Sequence, residues 1–213
     1  MADVVVAIPA YGGTVHIGTM RSLIADVMAF AQAGKTVSIF DQAHGAEIDT
    51  VRAQIVAEFL AESDAHHLIM VDSDVVWSRG GLLKLVNAGV DFVAGAYPHR
   101  KDPITWPVQM LDGAGKQGDL CEVKAVPAGF LCVTRKALNQ MCQTYDDLRF
   151  ESSKTSAPIW ALFDHVTIGR TRLSEDLSFC HRWRAMGGKI YVDPTIKMGH
   201  IGPKVFTGEF NEV

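Results

Sequence analysis

Apolar residues follow two alternating rhythms through the first hundred positions. Val4-Val5-Val6-Ala7-Ile8, Thr36 to Phe40, Leu68 to Val71 and Phe92 to Ala96 are short, nearly continuous apolar runs. Runs of that length read as buried strands. Between them the spacing turns helical. Met20, Leu23, Ile24, Val27, Met28 and Ala31 make one stripe, with Gly34 as a C-cap. Ile48, Val51, Ile55, Val56, Phe59 and Leu60 make a second, and Leu82 to Val86 begins a short third. Alternating strands and helices predict parallel strands joined by right-handed crossovers, a Rossmann-like half.

The rhythm changes after residue 100. Pro107 to Leu111, Leu120 to Val126 and Phe130 to Val133 are short strand candidates with Gly-rich turns between them, which predicts a mixed sheet. Residues 145–173 show few regular patterns and are expected to form a long loop region of the kind that is often functional. A helix is expected from near Glu175, through Leu177, Phe179, Cys180 and Trp183, to Gly187-Gly188, with Ile190 to Val192 as one more strand. The expected fold is therefore α/β: one domain over 1–213, with a parallel half at 1–100 continuing into a mixed-sheet half at 101–213.

Composition narrows the class. The chain has 213 residues, 48% hydrophobic and 21% charged, as in an ordinary soluble globular protein. A formal net charge of -4 argues against a nucleic-acid partner. No apolar run approaches the ~20 residues that span a bilayer, so no transmembrane segment is expected. Asp3 stands where a basic leader would be, so the start of the chain reads as a core strand and the protein as soluble and cytoplasmic. Cys121, Cys132, Cys142 and Cys180 lack metal-ligand spacing and are expected as reduced thiols.

The chemistry concentrates at His67-Leu68-Ile69-Met70-Val71-Asp72-Ser73-Asp74. If the strand stays extended to its end, Asp72 and Asp74 point one way and Ser73 the other. Two hard carboxylates at the mouth of a sheet suit Mg²⁺ or Mn²⁺, and such an ion takes phosphate oxygens, so a nucleotide diphosphate is the expected ligand. The alternative is a turn, in which Asp and Ser are also common. Ligands of open α/β sheets gather at the carboxyl ends of the strands. Pro9-Ala10-Tyr11-Gly12, Asp41-Gln42, Asp72-Ser73-Asp74 and Tyr97-Pro98-His99-Arg100-Lys101 all follow strands and are expected on one rim. Gly113-Ala114-Gly115-Lys116-Gln117-Gly118 matches the dinucleotide pattern GxGxxG, but Leu120 to Val126 alternates as a strand. Those glycines fit a hairpin better than a phosphate cradle.

Taken in order, these segments resemble the nucleotide-sugar-dependent glycosyltransferases of GT-A fold, especially the inverting group called family 2. The resemblance rests on Ile8-Pro9-Ala10-Tyr11, Asp72-Ser73-Asp74, Val126-Pro127-Ala128-Gly129-Phe130-Leu131, Ser174-Glu175-Asp176 with Phe179-Cys180, and Tyr191-Val192-Asp193-Pro194 leading to Gly199-His200-Ile201-Gly202. It implies transfer of a sugar from a nucleotide diphosphate sugar to the hydroxyl of a glycan, glycoprotein or other acceptor. Pro9, Ala10 and Tyr11 would contact nucleobase and ribose, and Asp41 would face a uracil imide, which favours UDP. Arg52 would reach back to the nucleotide or to the aspartates. Asp72, Ser73 and Asp74 would form the DXD motif, with Asp72, Asp74 and His200 at the Mn²⁺ or Mg²⁺. Asp176, or its neighbour Glu175, would be the general base. Lys101 or Arg100 would assist the leaving diphosphate, and Gly129 would let the backbone pass close to the sugar. Trp106, Trp160 and Phe163 are candidates for stacking on sugar faces. The absence of membrane helices and of a clear processivity motif around Arg182-Trp183-Arg184 implies a non-processive enzyme. The rival readings are a sugar nucleotidyltransferase, a nucleotide-sugar-binding module without catalysis, and a flavodoxin-like regulatory domain.

Overall fold

In a computed structural model, which describes residues 2–42, 45, 47–113, 115–152 and 155–210, the first apolar run becomes β1 (Val4–Pro9), buried along its whole length. It leads into α1 (Ile17–Gln32), β2 (Val37–Gln42), α2 (Ile48–Glu62) and β3 (His67–Val71). Next come β4 (Val75–Trp77), α3 (Gly81–Val86) and β5 (Phe92–Gly95). The second half supplies β6 (Gln109–Met110), β7 (Lys116–Gln117), β8 (Leu120–Ala125), β9 (Phe130–Thr134) and α4 (Arg135–Thr144). It continues with β10 (Arg149–Ser152), β11 (Thr155–Trp160), β12 (Thr167–Ile168), β13 (Thr171–Arg172), α5 (Glu175–Ala185), β14 (Ile190–Asp193), β15 (Met198–Ile201) and β16 (Val205–Gly208).

The central sheet runs β2-β1-β3-β9-β5-β14-β8-β6, with β7 beside β8. β1 pairs parallel with β2 and β3, as the alternating rhythm requires. The second half then enters the sheet. β9 lies antiparallel between β3 and β5, and β14 runs parallel to β5 and antiparallel to β8. The mixed sheet is thus a product of interleaving. The strand pair β7–β8 makes the Gly-rich segment a hairpin, with Gly118 at φ 60°; Ala114 lies outside the described residues. Two large apolar clusters cover the sheet faces. One is built around Phe59, Leu131, Phe163 and Phe179, the other around Phe30, Trp77, Leu82 and Phe130.

Three departures from the sequence expectation have a physical reason; β4, β15 and β16 are further strands that it did not include. Most of the apolar stripe of α1 faces outward, Leu23 excepted. Met20, Ile24 and Met28 are exposed, while Thr19, Leu23, Asp26, Ala29 and Phe30 are buried. Asp26 explains the rotation. Its carboxylate accepts hydrogen bonds from Trp77 Nε1 at 3.0 Å, Leu82 N at 2.7 Å and Gly80 N, tying β4 and the start of α3 to α1. Turning Asp26 outward would leave three donors unpaired, at about 1–3 kcal/mol each.

The second departure is α4, a helix absent from the expected elements although Ala137, Leu138, Met141 and Cys142 stand at helical spacing. Its ten residues include Asn139, Cys142 and Thr144, which are indifferent helix formers. Thr134 starts it by accepting from Ala137 N at 3.2 Å, and Ala137, Leu138, Met141 and Cys142 bury its inner face. The third is the expected loop at 145–173. It contains the antiparallel hairpins β10–β11 and β12–β13; Ser153 and Lys154 lie outside the described residues. The β10–β11 ribbon stands apart from the central sheet and rests on α2, where Ile159 packs with Ala53 and Ala57. Short, mostly exposed strands of this kind carry little apolar alternation to read.

A small sheet, β16-β15-β4, completes the rim. It pairs His200 with Val75, which brings the histidine beside the Asp72-Ser73-Asp74 segment.

Candidate functional site

Strand ends converge where the sequence places its acidic motif, but the backbone there is not extended. β3 ends at Val71, and Val75 N donates to Asp72 O at 3.3 Å, so Asp72-Ser73-Asp74 is a turn. The alternation that would aim both carboxylates one way is absent. The turn is held on both sides: Asp72 N donates to Gly129 O at 2.9 Å, and His16 N donates to Ser73 O at 2.9 Å. The carboxylates therefore separate into two neighbouring clusters.

Asp72 belongs to the first cluster. Its Oδ1 lies 2.9 Å from Nη2 of Arg52, whose Nη1 lies 3.2 Å from Oε1 of Glu175. Arg52 comes from the middle of α2, and its side chain is only 4% exposed. Burial works against its charge, yet Asp72 and then Glu175 more than offset this and raise its pKa further. One guanidinium thus joins the turn after β3 to the first residue of α5. Tyr97, just beyond β5, closes this cluster from the other side. A Cβ on Gly129 would overlap both its hydroxyl and Asp72 Oδ2. Burial, with the nearby charge of Asp72, raises the Tyr97 phenol well above its ordinary pKa. It stays protonated and serves as a hydrogen-bonding group.

Asp74 centres the second cluster. Its Oδ2 lies 2.9 Å from Arg100 Nη2, and its Oδ1 lies 3.4 Å from His200 Nε2. Burial alone would raise the Asp74 carboxyl; His200 and Arg100 outweigh it and hold the pKa below 3.8. The other ring nitrogen of His200, Nδ1, sits 3.0 Å from Pro98 O. A carbonyl oxygen only accepts, so Nδ1 carries the proton in that contact. Nε2 of a neutral ring then turns a lone pair toward a carboxylate. That pairing is favourable only if the ring is imidazolium or a cation lies between the two. Tyr97 packs edge-on against His200, with centroids 5.1 Å apart, and joins the two clusters.

The acid pair of α5 divides as adjacent helical residues must. Glu175 points to Arg52. Asp176 Oδ1 accepts from Leu177 N at 2.8 Å and from Ser174 Oγ at the helix start. Its other oxygen has no hydrogen bond among the described residues. Asp176 still lies near enough for its charge to act on Arg52 and Tyr97.

The remaining predicted residues spread along the rim. Pro9 pairs with Gln42 at the end of β1, Ala10 N donates to Gln42 O at 3.0 Å, and Tyr11 projects into solvent from a single 3-10 turn, 74% exposed. Asp41 is exposed at the end of β2 and touches neither cluster. Lys101 is exposed, and Arg100 is the basic residue that reaches the acidic turn. Among the aromatic candidates, Phe163 is a core residue stacked on Phe179 at 4.2 Å. Trp106 and Trp160 are partly buried against the same core. Tyr97 is the central residue that sequence reasoning did not single out; its only signal was a position directly after a strand.

The donor set for a divalent cation is partial. Asp74 and His200 approach each other, whereas Asp72 is turned to Arg52. Among the described residues no three His, Cys, Asp or Glu side chains converge on one point. No helix among them is long and apolar enough to cross a membrane.

No protein-family model matches the chain, and no curated protein does. Among solved structures the chain is similar to A197 from STIV, with a TM-score of 0.56, 16% identity, and coverage of 96% of this chain and 93% of that one. It is also similar to S. aureus TarS 1-349, with a TM-score of 0.48, 12% identity, and coverage of 89% and 57%. A third is a glycosyltransferase involved in the glycosylation of the major capsid of PBCV-1, with a TM-score of 0.38, 12% identity, and coverage of 72% and 69%. The first likeness is one of overall fold.

Proposed function

We propose that the chain is a glycosyltransferase of GT-A type that binds a nucleotide diphosphate sugar, UDP-linked by preference, at this rim and transfers the sugar to an acceptor hydroxyl with inversion. The observation that carries the reading is the Asp74–His200 pair. A histidine fixed by Pro98 so that Nε2 meets a carboxylate is an arrangement that a Mn²⁺ or Mg²⁺ ion satisfies directly. Two protein donors suit an ion whose other positions go to diphosphate oxygens and water. When bound, the ion would neutralise charge on the departing nucleotide diphosphate.

Other groups divide the work by position. Arg100 now pairs with Asp74 and is placed to exchange that contact for a diphosphate oxygen. Arg52 holds Asp72 and Glu175 in one geometry. Tyr11 and Asp41, on the exposed outer rim, would meet the base. Glu175 is held in an ion pair with Arg52, whereas Asp176 forms no ion pair among the described residues, so Asp176 is the better acceptor for a proton. As the acceptor oxygen attacks the anomeric carbon, its proton passes to Asp176, and the bond from that carbon to the diphosphate oxygen breaks. Such a base contributes about 10²–10⁴-fold.

The test is a panel of nucleotide sugars with and without Mn²⁺, read by thermal stabilisation and by release of nucleotide diphosphate. Stabilisation should need both donor and metal and should vanish in Asp74→Ala. Asp176→Asn should keep the stabilisation and lose turnover. Near-full turnover in that variant would remove Asp176 from the mechanism, and stabilisation without nucleotide release in the parent chain would make it a binding module.

A further inference from the structure

The outward stripe of α1 is the largest feature the proposed site leaves unused. Its exposed apolar positions are Ile17 (69%), Met20 (40%), Ile24 (53%), Val27 (37%) and Met28 (56%), with Ala31 also exposed. Ile17, Met20, Ile24, Val27 and Ala31 step by three, four, three and four residues. That is the 3.5-residue period of a seam that packs against another helix, with β-branched Ile at two equivalent positions. Ile39 on the edge strand β2 is 49% exposed and, in register with Val6, lies on the sheet face that α1 covers. Arg21 is the one charged residue among the exposed positions of the helix.

We propose that α1 is a homodimer interface in which two copies of this chain pack their α1 helices antiparallel about a two-fold axis at Ile24. Two observations select a second copy as the occupant. The first is fit. Pairing about Ile24 sets Ile17 against Ala31 of the other copy, Met20 against Met28, and Ile24 against itself. Large residues meet small ones at the ends, and each Arg21 lays its aliphatic stem over Val27 of the other copy with its guanidinium reaching the solvated rim. A self-complementary patch is what a two-fold contact requires. The second is area. Taking roughly 120 Å² for a fully exposed aliphatic side chain, these exposures together with that of Ile39 amount to on the order of 350 Å² of apolar surface. A standard interface buries about 800 Å² per partner, a little over half of it apolar. The patch supplies most of the apolar area that such a dimer needs, and apolar patches of several hundred Å² are often functional.

Light scattering coupled to size exclusion of the intact chain, at high micromolar concentration, should give twice the chain mass. Ile24→Glu should give a monomer with unchanged circular dichroism and melting, because the side chain is not part of the core. Ile24→Cys should oxidise to a covalent dimer under mild conditions, since the axis sets each position 24 against its mate. The native Cys121, Cys132, Cys142 and Cys180 are buried and should give no background. A parent chain that stays monomeric would overturn the proposal, as would a dimer that survives Ile24→Glu or an Ile24→Cys chain that fails to cross-link. Sedimentation of a monomeric parent with anionic phosphatidylserine vesicles, lost in Ile24→Glu, would assign the face to a membrane surface instead.

Discussion

Gly129→Ala is the sharpest probe of how the site is built. Gly129 lies in the turn between β8 and β9, and its φ is not in the left-handed region, so alanine meets no backbone penalty there. The cost arises entirely from space. A Cβ would overlap Asp72 Oδ2 and Tyr97 Oη and would lie 2.7 Å from Asp72 Cγ. The backbone is fixed by the Asp72 N to Gly129 O bond, so the side chains must move. Overpacking of this kind costs about 1–3 kcal/mol. Displacing Asp72 also loosens its 2.9 Å contact with Arg52, a hydrogen bond between charged groups worth about 1.5–3 kcal/mol. The expected destabilisation is about 3 kcal/mol by urea denaturation. Gly115→Ala is the control, because a Cβ there meets nothing within 4 Å, and it should stay within about 0.5 kcal/mol of the parent. In an Asp72→Ala, Tyr97→Phe background the three nearest atoms are gone, and the same alanine should cost under about 1 kcal/mol, a coupling that a double-mutant cycle reads directly. A full-sized loss in that background, or less than about 1 kcal/mol in the parent, would refute the wedge reasoning.

Other substitutions test separate contacts. Arg52→Met leaves Asp72 and Glu175 facing each other without their shared cation and should cost about 3 kcal/mol in urea denaturation. Asp26→Ala strands Trp77 Nε1 and the amides of Gly80 and Leu82 and should cost about 3 kcal/mol, with loosening of α3 visible as faster amide exchange at Leu82. Asp74 supplies a pH signature. Its folded pKa lies below 3.8, so its stabilisation is fully present above that value and is lost as the pH falls through the folded pKa. The stability difference between parent and Asp74→Asn should therefore shrink in acid as the pH falls through the folded pKa, as read from urea midpoints in a pH series. Burial pushes the thiols of Cys132, Cys142 and Cys180 up to about 12. They should react with a disulfide reagent only after denaturant unfolds the chain.

By itself the sequence determined most strands of the central sheet, the helices α2 and α5, and the end of the sheet at which the chemistry sits. Apolar runs and helical spacings mark β1, β2, β3, β5, α2 and α5 because that pattern reports which side of a local segment is buried. Residues that follow those strands fall on one rim by topology alone, which is why Asp72, Asp74 and the 97–101 segment were legible as neighbours. Tertiary structure decided every pairing among them. Asp72-Ser73-Asp74 is a turn because Gly129 and His16 hold its backbone. Arg52 faces inward because Asp72 and Glu175, 20 and 123 residues away, supply its counter-charges. Tyr97 becomes central only when β9 inserts between β3 and β5 and carries Gly129 beneath it. The rotation of α1 makes the same point. Periodicity marked an apolar stripe but not the side it would face, and a buried aspartate bonded to residues more than fifty positions away turned most of that stripe outward.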